Sequence, residues 1–82
     1  MKVSVELSMY PLSEDYIDHI VEYIDRLCAY EELEIRKNAM STQVFGDYDQ
    51  VMNILKEENR RAMSKHPGMV IVSKMVNAYL PE

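Results

Sequence analysis

The chain has 82 residues, enough for one small domain and too few for two independent cores. That length excludes a TIM barrel or a doubly wound dinucleotide-binding fold. With 48% apolar residues the chain is globular rather than disordered. Its 14 acids against 9 bases give a net charge of −5. This argues against a nucleic-acid backbone as partner and is compatible with a cationic small ligand or simply with solubility.

A lone cysteine, Cys28, allows no internal disulfide, and no metal-ligand spacing is present. The first six residues read as a strand rather than a signal peptide, and no 18-residue apolar run occurs. A cytoplasmic location and no membrane insertion are expected. A domain of this size commonly gains stability by oligomerising.

Residues 2–9 alternate, with Val3, Val5, Leu7 and Met9 on one side and Ser4, Glu6, Ser8 and Tyr10 on the other. This is a strand with one apolar face, ended by Pro11. Ser13 is placed to open a helix, with Glu14 and Asp15 in the favourable first turn. Ile17, Ile20, Val21, Ile24, Leu27 and Cys28 recur at helical spacing as its buried stripe. From Ser13 to Glu34 eight acids meet only Arg26, a sum of −7, which reads as a solvated face.

Leu33, Ile35 and Lys37 alternate with Glu34, Arg36 and Asn38, and residues 41–46 alternate again. Two short strands this close, joined through residues 38–41, predict an antiparallel hairpin. Asp47 precedes a second helix, with Gln50 in a capping-box-like position. Val51, Met52, Ile54, Leu55, Ala62 and Met63 are its expected buried stripe, and Glu57 and Arg61 can pair. His66-Pro67-Gly68 stops this helix, and residues 69–76 form a fourth strand.

The order βαββαβ predicts an α+β ferredoxin-like sandwich: one four-stranded antiparallel sheet, order 4-1-3-2, with two helices on one face. One face stays open. Most of its residues are polar, but the fourth strand is apolar on both sides and needs a cover on both. A second subunit on the open face or at the sheet edge is therefore expected.

No nucleophile, phosphate-loop or dinucleotide motif is present. His19 reads as a surface or half-buried residue, His66 as a helix-end cation, Cys28 as a small core residue, and the seven methionines chiefly as core filler. Glu6 stands out, because glutamate is depleted in mid-strand. It reads either as one end of a cross-sheet salt bridge to Lys74 or Arg36, or as a recognition carboxylate for an amino group or cationic ring. Tyr10, Phe45 and Tyr48 could stack on such a ligand, and Asn38, Ser41, Thr42 and Gln43 could hydrogen-bond it.

The segments Val5-Glu6-Leu7-Ser8-Met9-Tyr10-Pro11-Leu12, Asn38-Ala39-Met40-Ser41-Thr42-Gln43-Val44-Phe45-Gly46 and Lys74-Met75-Val76-Asn77-Ala78-Tyr79-Leu80-Pro81 resemble the YkoF-like thiamine- and hydroxymethylpyrimidine-binding family. The resemblance implies a self-associating ferredoxin-like module, a homodimer or homotetramer, that binds thiamine or a related pyrimidine in vitamin transport or salvage and is not an enzyme. Carried residue by residue, Glu6, Ser8, Tyr10, Met40, Ser41, Thr42 and Gln43 become candidate ligand contacts, beside Asn38 from the residue chemistry. No cofactor or metal is expected. A small dimeric α+β enzyme and a pure oligomerisation module remain as alternatives.

Overall fold

The computed structural model describes residues 1–12 and 16–81. Its elements are β1 (Lys2–Pro11), α1 (Tyr16–Cys28), β2 (Glu34–Lys37), β3 (Thr42–Asp47), α2 (Tyr48–Lys65) and β4 (Met69–Val76). The helix start expected at Ser13, with Glu14 and Asp15, lies outside the described residues. The four strands form one antiparallel sheet in the order β2-β3-β1-β4, the ferredoxin-like arrangement.

Alternation along β1 decides the layers. Val3, Val5 and Leu7 point toward the helices and are buried with Val44, Leu27 and Tyr23. From α2, Val51, Ile54, Leu55 and Ala62 close the core. The opposite face is built of cross-strand rows fixed by the register. One row runs Glu34–Phe45–Ser4–Val76, the next Arg36–Gln43–Glu6–Lys74. The helix-to-strand turn before β4 needs a left-handed residue, and Gly68 supplies it with φ of 83°.

The helices meet through a buried carboxylate. Glu58 of α2 accepts from Arg26 Nε at 2.6 Å and from the Tyr30 hydroxyl at 2.6 Å, with Arg61 3.7 Å away. A charge this buried needs such partners. Burial pushes the Glu58 carboxyl up, but the hydrogen bonds from Arg26 and Tyr30, with the charges of Arg26 and Arg61, outweigh it and hold it below the ordinary range. Beside it the buried Tyr23 hydroxyl donates to Asn59, and burial pushes the phenol well above its ordinary value.

Several side chains lie elsewhere than their pattern predicts. On α1 the buried direction runs through Tyr23 and Leu27, so Ile17, Val21 and Cys28 are exposed and Cys28 is no core residue. Met52, Met63 and Met75 are exposed as well, so they are not core filler, whereas Met69 is buried. The expected capping box does not close: Asp47 makes no side-chain cap bond, and its carboxylate meets the N-terminal ammonium at 3.3 Å. Glu57 lies 3.7 Å from Arg60, while Arg61 turns to Glu58.

Candidate functional site

A cleft of about 210 Å³ opens between α1 and the turn joining β2 to β3. Leu7, Met9, Ile20 and Ile24 make its apolar walls; Ser8, Asn38, Ser41 and Thr42 bring polar groups to it. The turn is shaped by Asn38, whose Oδ1 accepts from the backbone N–H of Met40 at 2.8 Å and of Ser41 at 2.9 Å. Asparagine favours such turns because its side chain replaces a backbone acceptor. The turn throws Met40 outward, largely exposed at the tip, and directs Ser41 back toward β1.

Ser41 donates its hydroxyl hydrogen to Glu6 Oε2 at 3.1 Å. The other oxygen of Glu6 lies 3.3 Å from Lys74 Nζ. The cross-sheet salt bridge considered for Glu6 is therefore present, and Lys74 is its partner; Arg36 pairs with Glu34 at 2.9 Å instead. A hydroxyl that has given its hydrogen to a carboxylate offers lone pairs to whatever enters beside it. Glu6 thus sets Ser41 as an acceptor.

A second cavity of about 320 Å³ lies on the open sheet face, with Glu6, Gln43, Phe45 and Lys74 in its lining. The eight residues singled out from the sequence therefore divide. Ser8, Asn38, Met40, Ser41 and Thr42 line the cleft, while Glu6 and Gln43 line the open-face cavity. The Ser41–Glu6 hydrogen bond joins the two groups. Tyr10 is exposed at the far end of β1 and lines neither cavity, nor does Tyr48 in the first turn of α2. A broader depression along the outer side of α1, with Asp18, Glu22 and Asp25, is open to solvent and acidic.

Sequence reasoning missed two features. Tyr23 contributes to the cleft and to the core; its position three residues after Ile20 and four before Leu27 was the available signal. His19 in α1 and His66, the residue that caps the end of α2, stack with ring centroids 3.4 Å apart and 18° between planes. Desolvation, then the charges of His19 and Lys65, hold His66 below the ordinary histidine range. Only the pairing of the helices brings these two together. Among the described residues no group of three or more His, Cys, Asp or Glu is placed to hold a metal, and no helix is long and apolar enough to cross a membrane.

The chain matches the model of the YKOF-related family over residues 2–78. Among solved structures it resembles a protein of Streptococcus pneumoniae at 27% identity and a TM-score of 0.87, covering 98% of this chain and 90% of that one. A Thermotoga maritima protein proposed to act in thiamine biosynthesis or salvage aligns at 21% identity and a TM-score of 0.81, over 92% and 82% of the two chains. A hypothetical protein of the archaeon Methanocaldococcus aligns at 25% identity and a TM-score of 0.79, over 99% and 84%. Among curated proteins none matches.

Proposed function

We propose that this chain, which belongs to the YKOF-related family, is a non-catalytic binding protein for thiamine or its hydroxymethylpyrimidine precursor. The observation that carries the proposal is the cleft beside Ser41: a narrow space with apolar walls and a hydroxyl oriented as acceptor by Glu6. An aminopyrimidine is a flat ring with an amino donor next to a ring-nitrogen acceptor. Its faces suit Leu7, Met9, Ile20 and Ile24, and its amino group suits Ser41 Oγ. The Thr42 hydroxyl is at hand for the ring nitrogen.

The cleft is smaller than the roughly 300–1,000 Å³ typical of small-molecule sites. A single ring matches it better than the whole of thiamine, so the pyrimidine is the recognised half and the thiazolium lies outside. The net charge of −5 favours that cation. The role proposed for the Thermotoga maritima relative supports the choice of ligand class.

His19 stacks on His66 instead of facing the cleft, which supports binding without catalysis. Self-association belongs to the same proposal: Tyr10, Val70, Val72 and Val76 share the open sheet face and are all exposed. A cytoplasmic site of action completes it, in keeping with a free, exposed Cys28. Titration calorimetry with thiamine and with hydroxymethylpyrimidine tests the ligand; saturable heat at one ligand per chain is expected, and no heat with either removes the reading.

A further inference from the structure

Phe45 lies on the sheet face that neither helix covers, yet it is only 2% exposed. Its cover is shared between the Arg36 guanidinium, 5.9 Å from the ring centroid, and the segment that follows β4. The Ser4 hydroxyl, on the same face, donates to the Ala78 carbonyl at 2.6 Å and accepts from the Leu80 N–H at 2.9 Å. The Tyr79 hydroxyl donates to Glu34 Oε1 at 2.6 Å, and its ring meets Phe45 edge-on with centroids 5.6 Å apart. We propose that residues 77–81 form a displaceable strap, latched by Ser4 and Glu34, that closes this half of the open face and restricts the pairing of two copies through it. The proposal rests on the self-association reading above.

The strap spans the sheet without filling the space beneath it. The open-face cavity of about 320 Å³ lies there, with Leu80, Phe45, Gln43 and Lys74 in its lining. Tyr79 and Leu80 are at least half exposed, so the anchors are a few polar contacts and one ring contact. Segments held this way open at low free energy while the core stays folded. The other half of the face is bare, with Tyr10, Val70 and Val72 exposed.

A second copy approaching the latched chain meets that bare half with the strap standing beside it. With the strap displaced, Phe45 and more of Val76 join the contact as a second apolar patch, set beyond the polar row Arg36–Gln43–Glu6–Lys74 from the bare half. The latched strap therefore lowers the apparent affinity of self-association by the fraction of chains that are open.

The test combines hydrogen exchange with sedimentation across micromolar concentrations, on the full-length chain, Ser4→Ala and Tyr79→Ala. Exchange at the Leu80 amide should rise at least about tenfold in Ser4→Ala, and the dissociation constant of self-association should fall by about the same factor in both variants. Tyr79→Ala leaves the central strand untouched and keeps the test valid if Ser4→Ala fails to fold. Unchanged exchange at Leu80 would overturn the latch. An associating parent whose released variants associate equally or more weakly would overturn the strap's restraint while leaving self-association standing. Monomers throughout, with the strap demonstrably open, would remove both.

Discussion

Ser41 and Glu6, 35 positions apart, share a hydrogen bond of 3.1 Å across the end of the β1–β3 pair. The bond links the two cavities on either side of the hairpin end. It also leaves the Ser41 oxygen, its hydrogen given to Glu6, with lone pairs free to accept.

Ser41→Ala should weaken binding of hydroxymethylpyrimidine by about five- to tenfold, the worth of one neutral hydrogen bond near 1 kcal/mol. Glu6→Gln should weaken it by less, about threefold, because an amide still offers an oxygen to Ser41 but no longer compels its orientation. Tyr10→Phe, which touches neither cavity, should leave affinity unchanged. Calorimetry on the three variants checks the order.

Glu58 gives the fold an acid limit. Its folded pKa is held below the ordinary 4.5 by Arg26, Tyr30 and Arg61 against the cost of burial. A carboxyl depressed on folding contributes stability that is present above its unfolded pKa and is lost as pH falls through its folded pKa. Thermal melts from pH 5 down to pH 3 should therefore drop steeply. Glu58→Gln should start lower at pH 7 and show a shallower acid decline; a variant as acid-sensitive as the parent would count against this origin.

His66 acts at milder pH. Desolvation, with the charges of His19 and Lys65, depresses its pKa, while Glu22 opposes them weakly. The folded chain therefore binds a proton at His66 less readily than the unfolded chain does. The associated stability is full above the ordinary value of 6.5 and is lost as pH falls through the lower folded value. Proton NMR should show the His66 ring titrating below 6.5 in the parent and rising toward it in His19→Asn. No difference between the two would deny the coupling.

The sheet was legible because alternation is a two-residue signal that survives in short segments: Val3, Val5 and Leu7 named the buried face of β1, and strand order followed from element order. The helix faces were less legible. Ile17, Val21 and Cys28 are as apolar as the residues actually buried, and only the docking angle of α1 turns Tyr23 inward and them outward. Methionine misled for a related reason: apolar character marks what can be buried, not what the small core has room for. Residues 77–81 carry no periodicity, so nothing in the letters announced that Tyr79 and Leu80 return to cover Phe45. Of the eight candidates, Ser8, Asn38, Met40 and Thr42 lie with Ser41 at one cleft, and the separation of Glu6 and Gln43 from them depends on the turn that Asn38 builds.

Amide chemical-shift mapping with hydroxymethylpyrimidine tests the proposed site most directly. Saturable shifts should cluster at Ser8, Ile20, Ile24, Ser41 and Thr42, around the cleft between α1 and the β2–β3 turn. Shifts confined to the acidic outer side of α1 or to the open sheet face, or none at all, would contradict it.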